Sequence, residues 1–237
     1  MRKIVPLMLT LLVLFSSACF AAYQPDPEKW ELVISDDDTQ LFWNKSTIQY
    51  SDDKNTAVFE LCLIDLKTDK HCIWNSKITK QPRIIAELQD ALTESDIQTI
   101  LNSPSSAFYK KDPILIVPNS LNEALYEAAF EIKLPEFQSR MKNIVKRKEM
   151  MYFLDTASIQ YSADGNTATY WTILIFPELD LMQSIYSQIN KRSKTSMPLY
   201  TALNADPPKP CSLEKQTPQK IRPDSNGETI FKIIFPE

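Results

Sequence analysis

The side chains able to do chemistry are few, and they are scattered. The only histidine is His71, beside Cys72 and nine residues after Cys62, with Cys211 far along the chain. Four Cys or His ligands make a structural zinc site. Two of these cysteines flank one short hairpin and the third lies in the distant C-terminal part, so no metal is expected. A Cys72–His71 nucleophile pair fails because neighbours on a strand point to opposite faces. Asp36, Asp37 and Asp38 form an acidic run, but their spacing is not that of a calcium loop and no Glu stands at its twelfth position. Gly165 and Gly227 are the two glycines, so the phosphate-cradling glycine loops are absent. These observations predict no cofactor and no enzyme.

Two polar sets remain as binding candidates. The net charge of −4 conceals an acidic first half and a mildly basic second half. The basic excess sits in RMKNIVKRK, with Arg140, Lys142, Lys146, Arg147 and Lys148, and in KRSK at 191–194. Such a surface could meet an anionic envelope or matrix component, or an acidic protein partner. A pI of about 5.2 and the export signal described below predict no nucleic-acid partner. The second set is Gln49 and Gln160, which occupy the same place in a repeated phrase.

That phrase organises the chain. TIQYSDDKNTA (47–57) recurs as SIQYSADGNTA (158–168), eight of eleven residues being identical at an offset of 111. A second echo, IVPNSLNEALYEAAF (116–130) and IRPDSNGETIFKIIF (221–235), lies at an offset of 105. Two echoes in the same order imply duplication of a unit of about 100 residues, long enough to hold its own core. The expected boundaries are 22–132 and 133–237, with about six extra residues within the first copy.

Within each unit the phrase reads as a β-hairpin. Asp164-Gly165 signals a two-residue type I′ turn. Tyr161 then faces Ala168 and Ile159 faces Tyr170, giving a core face shared with Leu174. In the first copy that face carries Ile48, Tyr50, Ala57, Phe59, Leu61 and Leu63. Lys54 or Asn55 must turn left-handed there, and Asn is the better suited. Gln49 and Gln160 fall on the opposite, wetter face with Trp171, Thr169 and Glu60. WELVI, QLFWN, NIV and MMYFLD read as strands, and KITKQPRIIAEL as one more. Ser120-x-x-Glu123 and Ser225-x-x-Glu228 are capping boxes that start C-terminal helices. The predicted fold is α+β, mainly antiparallel β, in two tandem repeats, each a sheet with its C-terminal helix packed on it.

Residues 1–21 carry Arg2 and Lys3, an apolar run from Ile4 to Phe15, and small residues before Ala21. This is the pattern of a signal peptide, and the run is shorter than a membrane span. Cleavage follows Ala21, or else Cys19 becomes a lipid anchor. Export permits disulfides. Cys62–Cys72 is the first pairing to test, then Cys62–Cys211, against three buried thiols.

Trp30 with Leu32 and Val33, Phe42-Trp43-Asn44, Thr47-Ile48 and Phe59 with Leu61 resemble the bacterial surface-adhesin protein E-like domain family. The second copy offers Phe153-Leu154-Asp155, Ser158-Ile159 and Tyr170-Trp171, with Met141 where the Trp would stand. The I-x-P-x-S-x-x-E stretch is similar too. The resemblance implies a sheet with a packed helix and an adhesin-like, non-catalytic binding protein of the periplasm, outer membrane or cell surface. The alternative is a periplasmic carrier or sensor of a small apolar ligand.

Overall fold

The computed structural model describes residues 24–35, 37–102, 106–204, 208–212 and 216–236. The expected signal peptide (1–21), with Cys19, and Asp36 lie outside them. The protein is mainly antiparallel β, with two sheets of seven and eight strands and four helices among the described residues.

The first sheet comprises β1 (Trp30–Ser35), β2 (Thr39–Asn44), β3 (Gln49–Tyr50), β4 (Thr56–Asp65), β5 (Lys70–Thr79), β6 (Ile84–Glu87) and β7 (Ile114–Leu115). Its order is β1-β2-β4-β5-β6-β7, with β3 on β4. Helix α1 (Glu94–Asn102) interrupts it between β6 and β7, and α2 (Leu121–Phe130) follows. A short helix, α3 (Phe137–Arg140), leads into the second sheet. That sheet holds β8 (Met141–Lys146), β9 (Met151–Asp155), β10 (Gln160–Tyr161), β11 (Thr167–Phe176), β12 (Leu181–Asn190), β13 (Thr195–Leu203), β14 (Lys209–Pro210) and β15 (Gln219–Lys220). Its order is β14-β13-β12-β11-β9-β8, with β10 on β11 and β15 on β13. Helix α4 (Asn226–Ile234) ends the chain.

The repeated phrase is a hairpin in both sheets, in the register expected: Tyr50 faces Ala57 and Tyr161 faces Ala168. Its turn differs from the expectation. A type I′ turn needs positive φ at both central residues, but in the second hairpin only Gly165 is left-handed, and the Gly165 N–H bonds to the Ser162 carbonyl. In the first hairpin Lys54, not Asn55, takes that conformation at φ 53°. Asn55 instead donates its N–H to Asp53 Oδ1, a side-chain-closed turn that fixes which residue must invert. KITKQPRIIAEL is not one strand either. It breaks at Lys80–Arg83, where Pro82 has no N–H to give to a ladder.

The second echo acquires a physical reading. Ser120 and Ser225 cap α2 and α4, each accepting from the N–H of the Glu three residues on. Those Glu carboxylates accept in turn from Asn119 N–H and Asp224 N–H, both at 2.7 Å. Asn119 and Asp224 are left-handed, with φ of 58° and 56°, a conformation Asn and Asp tolerate best among residues with a side chain. Hence the motif favours Asn or Asp before Ser.

Leu125, Tyr126, Ala129 and Phe130 of α2 share one apolar cluster with Leu41, Trp43, Ala57, Phe59, Leu61, Ile78 and Ile85 of the first sheet. Ile230 and Ile234 of α4 cluster with Leu154, Ala168, Tyr170 and Ile189 of the second. The repeated tyrosines lie at the rims of these clusters, not inside them: Tyr50 is 39% exposed and Tyr161 51%. Each hydroxyl donates to a carbonyl near the end of its helix, Tyr50 to Ala129 at 2.6 Å and Tyr161 to Ile234 at 2.7 Å. Their rings lie against Phe130 and Phe235.

Candidate functional site

Ten-residue strands reach about 33 Å, whereas the ten-residue helix α2 is only about 15 Å long. The helix therefore cannot cover the whole inner face of β4 and β5. Where cover ends, a cleft of about 430 Å³ opens between the sheet and the first turns of α2. Leu41, Leu61, Leu63 and Trp74 form its sheet wall, and Leu121 and Leu125 its helix wall. These sheet residues share a face because Leu41 pairs with Leu63, and Leu61 with Trp74, across antiparallel ladders. In the second sheet the residue 111 positions after Leu41 is Tyr152, which packs into the α4 cluster. The smaller Leu41 leaves more room.

The mouth is charged. Lys111 Nζ reaches Glu87 Oε2 at 2.6 Å, and Lys110 lies at 3.4 Å from Glu87 Oε1 and 3.0 Å from Asp90. The bond from Lys111, then that from Lys110, holds the Glu87 carboxyl below the usual carboxylate range. Asp112 completes the rim. Ser76, paired across the ladder with Glu87, is the hydroxyl in a lining otherwise dominated by apolar side chains. A volume of this size falls within the range of small-molecule sites.

The sequence-derived binding residues are dispersed. Arg140 is only 4% exposed and cannot meet an outside partner. Its guanidinium pairs with Glu123 at 2.6 Å and Asp155 at 3.3 Å, joining α2 to the second sheet. Lys142, Lys146, Arg147 and Lys148 are exposed along β8 and the turn after it, Lys148 lying 3.7 Å from Glu178. In KRSK, Lys191 and Lys194 lie over the Phe235 and Phe231 rings.

Gln49 and Gln160 are structural clasps. Gln49 donates to Glu94 and accepts from Gln98, tying α1 to the outer face of the first hairpin. Gln160 donates to the Lys80 carbonyl of the first sheet. The face it shares with Trp171 is thus not a wetter side: Trp171 and Tyr186 are buried with Leu115, and Arg83 donates to the Ala157 carbonyl. In one hairpin the clasped cover is a helix; in the other it is the first half of the molecule.

Cys62 and Cys72 are unbridged thiols. Cys72 pairs with Leu63, the neighbour of Cys62, so the two side chains leave opposite faces of the sheet and the expected bridge has no path. Burial, with Cys72 near, pushes the Cys62 thiol up to about 11. Among the described residues no three His, Cys, Asp or Glu side chains gather to hold a metal ion, and no helix is long and apolar enough to cross a membrane.

Asp155 is fully enclosed, and its carboxyl is pushed up to about 6, first by burial and then by Glu123, with Arg140 opposing. No substrate can reach it, so it is part of the clamp between the halves. No protein-family model, curated protein or solved structure matches this chain.

Proposed function

We propose that the chain is a tandem duplication, 22–132 and 133–237, of one sheet with a C-terminal helix packed on it, and that it is an exported, non-catalytic binding protein of the bacterial envelope. Its binding element is the cleft of the first unit, and its ligand is a small apolar molecule. The observation that carries this reading is the cleft itself: leucines and a tryptophan line a space that the helix is too short to fill, with ions only at the mouth. The duplication rests on the two echoes and on the matching hairpins, caps and tyrosine bonds. The export signal and the likeness to surface-adhesin protein E-like domains support an envelope location.

A second reading is adhesin-like contact with an anionic envelope or matrix component through Lys142, Lys146, Arg147 and Lys148. Their exposure along the edge strand β8 and the turn after it favours it. Native mass spectrometry of protein taken from its own envelope, with and without delipidation, separates the two. A co-purifying apolar mass, lost in Leu63→Glu, supports the carrier. A clean apo mass, with retention on heparin abolished by reversing Lys146, Arg147 and Lys148, supports the surface reading.

A further inference from the structure

We infer that the first sheet carries a separate site on the face opposite the apolar cleft, and that this site binds a guanidinium group on an alkyl stem. Residues 44, 46, 60 and 75 correspond, at the offset of 111, to residues 155, 157, 171 and 186 of the second sheet. There the place is taken by an arginine of the first half. Arg83 donates through Nη2 to the Ala157 carbonyl at 2.8 Å, and its charge reaches Asp155 and Tyr186. Asp155 is the acid of that neighbourhood and accepts from the Ala157 N–H at 3.0 Å.

The first sheet keeps the acid but moves it one strand over. Asn44 replaces Asp155 and accepts from the Ser46 N–H. Its Nδ2 donates to Glu60 Oε2 at 2.9 Å, so the Glu60 carboxylate is held at the same turn. Glu60 stands where the second sheet has Trp171, and Asn75 where it has Tyr186. Two large rings become two polar side chains, and a cavity of about 380 Å³ opens with Ser46, Glu60 and Asn75 in its lining. Val58, Leu92 and Ile97 give it an apolar side.

The kind of occupant follows from what stands around the cavity. Helix α1 takes, over Gln49, the place that Lys80 takes over Gln160. A second copy of the chain therefore cannot seat over Glu60 as the first half seats over Trp171, whereas a side chain or a small molecule can reach it. Asp90, also in the lining, already holds Lys110 at 3.0 Å. Among the described residues no Lys or Arg pairs with the half-buried Glu60 carboxylate. A guanidinium offers planar donors to that carboxylate and to the Ser46 carbonyl, the counterpart of the carbonyl that Arg83 meets. It is also less strongly hydrated than an ammonium, which favours it at a half-buried acid. Its stem lies along Leu92 and Ile97.

The test is calorimetric titration of the folded protein with butylguanidinium, butylammonium, free arginine and acetylated arginine amide. Butylguanidinium should bind at one site, about tenfold or more tighter than butylammonium. Glu60→Gln keeps an oxygen for Asn44 and should weaken that binding by about tenfold or more. Ala91→Trp, at an exposed position of the lining, should block the cavity without moving the urea midpoint. Leu63→Glu, on the other face of the sheet, should leave guanidinium binding unchanged. Arginine amide above free arginine identifies a polypeptide as the source of the group, and the reverse order a small molecule; either supports the assignment. Equal affinity for the ammonium, or binding indifferent to Glu60→Gln and Ala91→Trp, overturns it. A folded protein that binds neither cation overturns it too, and leaves the apolar cleft untouched.

Discussion

Replacing Asp155 by Asn should stabilise the protein, and by an amount that depends on pH in one direction. The Asp155 carboxyl is fully enclosed, and its pKa rises from 3.8 to about 6. A rise of about 2 units at 1.36 kcal/mol each means that ionised Asp155 costs the fold about 3 kcal/mol relative to its protonated form. A carboxyl whose folded pKa is raised contributes stability that is complete below 3.8 and is lost as pH climbs through 6. Asn retains an oxygen to accept from the Ala157 N–H, as Asp155 does at 3.0 Å. At the matching place in the first half, 111 residues earlier, Asn44 already does this for the Ser46 N–H. Arg140 keeps Glu123 at 2.6 Å. Urea unfolding of parent and Asp155→Asn at pH 8, 6 and 4.5 should show the variant ahead by up to about 3 kcal/mol at pH 8, the gap closing in acid as the parent takes up its proton. Carboxylates such as Asp164, held down to about 2 by Ser162 and Asn166, titrate in both proteins and cancel in the difference. A gap that is independent of pH, or wider in acid, refutes the reasoning.

Tyr50→Phe and Tyr161→Phe each delete one hydroxyl bond to a helix-end carbonyl and should each lower stability by about 1 kcal/mol, read from the urea midpoint; the two losses should be similar. Ser225→Ala removes the α4 cap and should cost about 1 kcal/mol, visible as reduced helix signal and a lower Tm. A thiol reagent at pH 7.5 should label Cys72 in the folded protein and reach Cys62 only after denaturation, because Cys72 is exposed while Cys62 is buried and its thiol is raised to about 11; a non-reducing shift that blocks both would restore the bridge. Gln49→Ala should speed hydrogen exchange in residues 94–102 selectively, leaving exchange in β11 and β12 unchanged.

The hairpin register was legible because period-two alternation and the repeat constrain the same residues twice. The caps were legible because Ser-x-x-Glu is local chemistry. Turn type was not, since Asp53 and Asp164 close their turns with side chains, a choice invisible in the pair Asp-Gly. Arg140 was misplaced for a long-range reason: its partners, Glu123 and Asp155, come from two other elements and nothing near it in the chain marks burial. The sequence hinted at the cleft in two ways, through an apolar β4 longer than the helix meant to cover it and through Leu121 standing opposite Asn226. Neither hint locates an opening without the tertiary path of α2. Gln49 and Gln160 were singled out by identity alone; their covers, α1 and Lys80, are different structures doing the same job.

The claim that the first cleft holds an apolar ligand is tested most directly by the fluorescence of Trp74, which forms part of its wall. Titrating the delipidated protein with a long-chain acid bearing a fluorescent acceptor should give saturable, one-to-one quenching of tryptophan emission, reduced in Trp74→Phe and lost in Leu63→Glu. A folded protein whose Trp74 emission shows no saturable change across the ligand's soluble range would contradict the account.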